Sequence, residues 1–140
     1  MLEAKDVTIM AGGKACVEHL SFLAEPGKVT CLSGIDEDTA TVVAHALLGL
    51  WPVSSGFVTL CGEVIAPHSA SWLRKMMAYV PRALPDGFGD GPIVLADVAE
   101  ALRLVDVETK RVVVVEQSDE TAMVELQSLA EKGMAVVVVR

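Results

Sequence analysis

Hydrophobic positions along this chain change their period several times, and each change marks an element. Leu2–Met10 alternates apolar and polar residues as a half-buried strand does, and Ala11-Gly12-Gly13-Lys14 reads as a turn. Ala15–Ala24 predicts a second strand whose inward face carries Leu20 and Phe22. Pro26-Gly27-Lys28 turns the chain into a third strand, Val29–Ser33. From Thr39 to Leu50 the spacing predicts a helix, with Asp38 as its N-cap. Trp51-Pro52 is the expected stop, because the residue before proline is pushed out of the α region. Ser54-Ser55-Gly56 predicts a turn, Phe57–Cys61 a strand, and Gly62 a bend before Glu63–Ile65.

Ser69–Met76 predicts a short helix, and Met77–Val80 a strand stopped by Pro81. Leu84–Pro92 is crowded with Gly, Pro and Asp and reads as the longest loop, with Asp86–Asp90 a surface segment. Apolar residues at Val94, Leu95, Val98 and Leu102 predict a helix over Ile93–Leu104. Arg111–Val115 and Ala135–Val139 carry continuous apolar runs, as strands buried on both faces do, and Thr121–Lys132 between them has amphipathic helical spacing. Early hairpins followed by alternating helices and strands predict an α/β domain over residues 1–140: a mostly parallel sheet with an N-terminal antiparallel β flank. No internal repeat or low-complexity tract interrupts it.

Composition narrows the partners. The 140 residues are 52% hydrophobic but only 4% aromatic, so the core is expected to be built from Val, Leu, Ala and Met. One domain of this length buries roughly 68–70% of its unfolded surface. A net charge of −8 argues against nucleic acid or an anionic membrane surface as partner. The apolar runs are far too short to span a bilayer, so no direct membrane insertion is expected. The start MLEAKDVTIM lacks the basic-then-apolar order of a signal peptide. Cys16, Cys31 and Cys61 are odd in number and scattered, which predicts reduced thiols in a cytoplasmic protein.

Candidate chemistry concentrates where the third strand meets the first helix. Gly34-Ile35-Asp36-Glu37-Asp38-Thr39-Ala40-Thr41 lies on the strand–loop–helix frame of a phosphate-cradling P-loop, G-x-x-x-x-G-K-[ST]. Gly34 and Thr41 fit that pattern. Thr39 stands at the second glycine and Ala40 at the lysine, while Asp36, Glu37 and Asp38 crowd negative charge where an anion would sit. Two unit charges at 4 Å repel by roughly 4 kcal/mol even at a surface dielectric, more than a typical hydrogen bond returns. The simplest expectation for the three acids is a solvated, helix-capping loop. A sharper one is that a carboxylate folds onto the loop's own N–H groups and fills the phosphate position. Their spacing is not that of an EF-hand. His19, His45 and His68 lack zinc spacing, and Trp51, Trp72 and Tyr79 are expected to pack.

A set of segments in order along most of the chain resembles the ATP-binding domain of ABC transporters. Pro26-Gly27-Lys28-Val29 is similar to that family's turn into the P-loop strand. Leu47-Leu48-Gly49-Leu50-Trp51-Pro52 with Ser55-Gly56 resembles its LLGL.P..SG segment, and Leu60-Cys61-Gly62-Glu63-Val64-Ile65 its next hairpin. Leu73-Arg74 and Met77-Ala78-Tyr79-Val80-Pro81 are similar to the stretch that ends in the Q-loop glutamine. Val112–Val115 followed by Glu116-Gln117 resembles the Walker B strand, and Glu131-Lys132-Gly133 with Val136–Val139 the approach to the switch histidine. The resemblance implies a P-loop NTPase-like fold.

The same comparison implies which chemistry is missing. Glu116 stands at the metal-holding Asp, Gln117 at the catalytic Glu and Arg82 at the Q-loop Gln; a Gln side chain accepts no proton from water. Met10 and Ala11 stand near the adenine-stacking aromatic. The interval from Pro81 to Arg111 is too short for the family's helical subdomain and contains no LSGGQ signature. The expectation is therefore a pseudo-ATPase with no catalytic residue and no cofactor, and with Gly34, Asp36, Glu37, Asp38, Thr39, Ala40 and Thr41 as a vestigial nucleotide loop. Thr41 and Glu116 would be the vestige of a metal site. Its expected partners are a transporter permease or a second ATPase-like subunit, with self-association open, and its expected place is the cytoplasm, peripheral to a transporter. The alternative is an ABC transporter ATP-binding protein that still binds ATP with Mg²⁺ and weakly hydrolyses it.

Overall fold

The computed structural model describes residues 1–66, 68–81, 93–94, 111–116 and 123–139. Two sheets carry the fold. Strands β1 (Leu2–Ala11), β2 (Lys14–Ala24), β4 (Ser55–Leu60) and β5 (Glu63–Val64) form an antiparallel sheet in the order β2-β1-β4-β5. Strands β3 (Val29–Leu32), β6 (Met77–Val80), β7 (Ile93–Val94), β8 (Val112–Glu116) and β9 (Ala135–Val139) form a parallel sheet in the order β3-β9-β8-β6-β7. The expected architecture, a parallel sheet with an N-terminal antiparallel flank, is the one observed.

The continuous apolar runs are explained by what covers each face. Along β8 and β9, Val112, Val114, Ala135, Val137 and Val139 pack into one core with helix α1 (Glu37–Leu47) and the antiparallel sheet. Their neighbours Val113, Val115, Val136 and Val138 pack into a second core with Leu126, Leu129 and Ala130 of helix α3 (Met123–Glu131). Side chains on a strand alternate faces, so two covered faces demand an unbroken apolar run. Met77 and Tyr79 of β6 join the first core, Ala78 and Val80 the second.

Several boundaries differ from expectation for local reasons. Helix α1 begins at Glu37 and ends at Leu47, earlier than predicted at both ends. Its stop is Gly49 in the left-handed region (φ 76°), not the Trp51-Pro52 pair. Gly49 N–H donates to Ala46 O and Leu50 N–H to His45 O, the paired bonds of a Schellman cap. A Cβ at Gly49 would lie 2.7 Å from Ile65 Cγ2, so glycine is required twice over. The helix expected over Ser69–Met76 is one turn of α-helix, α2 (Ala70–Leu73), followed by a 3₁₀ turn at Arg74–Met76. Ile93–Val94, expected at the start of a helix, instead adds to β6 as a parallel edge strand; residues 95–104 and the Leu84–Pro92 loop lie outside the described residues.

The antiparallel sheet has an irregular crossing where β1 and β2 both bulge. Asp6 (φ 50°) and His19 (φ 54°) adopt the left-handed region, which side-chain-bearing residues rarely do. Asp6 N–H donates to Ser21 Oγ at 2.9 Å and His19 N–H to Thr8 Oγ1 at 3.3 Å. The side chains meet, with His19 Nδ1 2.6 Å from Asp6 Oδ1, and that bond, then the Asp6 charge, holds the His19 imidazole above the ordinary histidine value of 6.5. His45, half-buried on α1 and edge-on to Tyr79 at 5.8 Å, is pushed below 6.5 by burial.

Two predictions follow from this packing. Leu126→Ala opens the second core and is expected to cost about 2–5 kcal/mol in urea unfolding. Val124→Ala, on the same helix but 73% exposed, should stay within about 0.5 kcal/mol. In an NMR pH titration His19 should titrate above 6.5 and His45 below it, and Asp6→Asn should bring His19 back down. The signs for stability are opposite. The His19–Asp6 contribution is present below 6.5 and fades as pH rises through the raised folded value. The His45 contribution is present above 6.5 and is lost as pH falls through the depressed one.

Candidate functional site

The carboxyl edge of the parallel sheet delivers the candidate residues. β3 ends at Leu32, Ser33 follows, and Gly34 (φ 78°) makes the sharp turn with nothing within 4 Å of where a Cβ would lie. Asp36 then adopts an extended backbone (φ −70°, ψ 166°) and caps α1. Its backbone carbonyl accepts from Ala40 N–H at 2.8 Å, and its Oδ1 accepts from Thr39 N–H at 2.8 Å. The N-cap is therefore Asp36, not Asp38. Asp38-x-x-Thr41 offers the same spacing as Asp36-x-x-Thr39, so the sequence did not separate the two. With Asp36 as cap, Glu37 and Asp38 fall in the first turn, where acids suit the helix dipole.

The cap has an electrostatic cost and gain that can be named. Asp36 is held below the usual carboxylate value, first by the Thr39 amide, then by the Thr39 hydroxyl and the Asp38 amide. A carboxylate already sits on helix N-terminal N–H groups, the donors a P-loop would offer to phosphate. Ala40, at the lysine position, is 2% exposed and belongs to the first core.

One turn deeper, Thr41 Oγ1 donates to Glu116 Oε2 at 3.0 Å across 75 positions of sequence. Glu116 closes β8 and is 4% exposed. The two residues that the resemblance assigns to a metal are thus brought together, and their oxygens are the hard donors Mg²⁺ prefers. Among the described residues, however, no group of three or more His, Cys, Asp or Glu could hold a metal ion. The residues present fit a triphosphate poorly. Asp36 already holds the Thr39 amide, and the Ala40 methyl supplies no charge. Gln117 and Arg82 lie outside the described residues, as does the side chain of Glu37. No described helix is long and apolar enough to cross a membrane.

Comparison with known proteins gives the fold a lineage. No family model matches the chain. An uncharacterized ABC transporter ATP-binding protein of Haemophilus influenzae is 31% identical over 83 residues, 59% of this chain and 32% of that protein. The hemin import ATP-binding protein HmuV of Chelativorans sp. is 32% identical over 80 residues, 55% of this chain and 30% of its own. The chain thus spans about a third of the length of the curated relatives it matches. Among solved structures, the ATP-binding subunit of an ABC transporter superposes with a TM-score of 0.65 at 16% identity, covering 99% of this chain and 78% of that one. CbiO1 of Clostridium perfringens, part of the ABC transporter complex cbiONQ, gives 0.65 at 11% identity, covering 99% and 76%. At such identities the superpositions speak for the fold alone, and the sequence matches carry the kinship: the chain is a distant, partial homologue of the ABC transporter ATP-binding domain.

Proposed function

We propose that this chain is an ABC-transporter ATP-binding-type domain that has lost hydrolysis and serves as an interaction or regulatory subunit. Its partners are a permease or a second ATPase-like subunit, and its place is the cytoplasmic side of a transporter. The observation that carries this reading is the Asp36 carboxylate on the Thr39 amide. An external phosphate would have to displace a charge-assisted bond and then sit beside the expelled carboxylate, with no lysine to offset the repulsion. In this reading the bond from Thr41 Oγ1 to Glu116 Oε2 is a structural tie between α1 and β8.

A second reading has its own support: the domain binds ATP with Mg²⁺ and hydrolyses it slowly. The curated relatives are described as ATP-binding proteins, and the Thr41–Glu116 contact joins the two residues that the resemblance assigns to a metal. The comparisons favour this second reading, whereas the chemistry of Asp36 and Ala40 favours the first. Calorimetry of the chain with ATP and Mg²⁺, paired with a phosphate-release assay, separates them. Pseudo-ATPase function predicts no saturable heat and no release above buffer. Micromolar binding with slow phosphate release would establish the second reading instead.

A further inference from the structure

We propose that the half-enclosed cavity at the carboxyl end of α1 binds a neutral, apolar small molecule. The inference does not depend on whether the P-loop holds a nucleotide, because the cavity lies at the opposite end of the helix. Its walls are the end of α1, the loop that follows, the β4–β5 hairpin and the start of α2, and its volume is about 520 Å³. That is within the range of pockets that accept small molecules, roughly 300–1,000 Å³. Leu50, Trp51, Val53, Phe57, Val64 and Ile65 provide its largest apolar surfaces, with Phe57 (45% exposed) and Val64 (44%) left open to solvent.

The class of ligand follows from the chemistry of the walls. None of the lining residues carries an ionisable side chain, although 21% of the chain is charged. Several polar atoms near the cavity are engaged within the protein. Trp51 Nε1–H donates to Met10 O at 3.1 Å, which leaves the indole ring, not its N–H, for a ligand. Gly49 O accepts from Arg74 Nη1 at 3.0 Å, and Val58 O from Ile65 N–H at 2.8 Å. Ser69 Oγ donates to Val64 O at 2.6 Å and accepts from Ala66 N–H at 3.0 Å. The lining residues offer a charged molecule no counter-charge, and the Arg74 guanidinium beside them is engaged with Gly49 O. Such a molecule would shed its hydration with little return, whereas an apolar one gains by leaving water. Walls on several sides suit a compact molecule better than a flat macromolecular face.

The chain contains two tryptophans, so Trp72→Phe, at a 48% exposed position, leaves Trp51 as the sole reporter. The full-length variant is titrated with neutral N-phenyl-1-naphthylamine and, separately, with its anionic relative 8-anilinonaphthalene-1-sulfonate. The neutral probe is expected to saturate at one molecule per chain and to quench Trp51, with the sulfonate weaker by about tenfold or more. Phe57→Lys and Val64→Lys, both at exposed positions that leave the cores intact, should weaken the neutral probe by about tenfold, while Val124→Lys on α3 should not change it. Circular dichroism confirms that each variant is folded. Failure to saturate, equal affinity for the sulfonate, or lysine variants that bind like the parent would overturn the proposal.

Discussion

Burial of both faces of the parallel sheet is the constraint on which the rest of this structure depends. Val112–Val115 and Val136–Val139 present side chains alternately to either side, and all of them are buried. Neither set can be left in water without forfeiting the apolar burial that offsets chain entropy. α3 covers one face and α1 the other, and because α1 is short, the antiparallel sheet completes that second layer. The early hairpin is thus one wall of the first core and not an appendage.

The same constraint positions the candidate site. Packing α1 onto β8 and β9 aims its N-terminus at the carboxyl edge of the sheet, where α/β folds present ligands. It also sets Thr41 against Glu116, so the tie between them is a consequence of the core beneath it. What differs from a phosphate-binding arrangement is local. One carboxylate, Asp36, already accepts from the Thr39 amide at the helix end, and the residue that would carry a compensating cation is a buried methyl.

Much of the architecture was legible in the sequence, and the exceptions share a cause. Apolar runs, turn residues and ordered family-like segments announced both sheets, because burial on one or two faces leaves a periodic record. Helix ends left a weaker one. Asp36 and Asp38 are both competent caps, and only the geometry after Gly34 decides between them. Gly49 ends α1 before the Trp51-Pro52 signal is reached, since two capping bonds to Ala46 and His45 outweigh a downstream proline. Ile93–Val94 looked helical because its apolar neighbours have that spacing, yet pairing with β6 decided its form. The left-handed Asp6 and His19 leave no compositional trace at all. Their conformation comes from cross-strand bonds to Ser21 and Thr8. The Thr41–Glu116 pair was suggested by kinship, but its direct contact is a fact of packing.

The claim that Asp36 occupies its own helix N-terminus can be read at a single atom. The Thr39 amide proton should shift with pH at a midpoint below 3.8, because it reports protonation of a carboxylate whose folded pKa is depressed. The capping contribution is then present above 3.8 and fades as pH falls through that lower midpoint. At neutral pH, adding inorganic phosphate or ATP with Mg²⁺ should leave the Thr39 resonance where it was. A Thr39 amide that ignores the titration of Asp36, or that moves saturably when phosphate is added, would contradict the account.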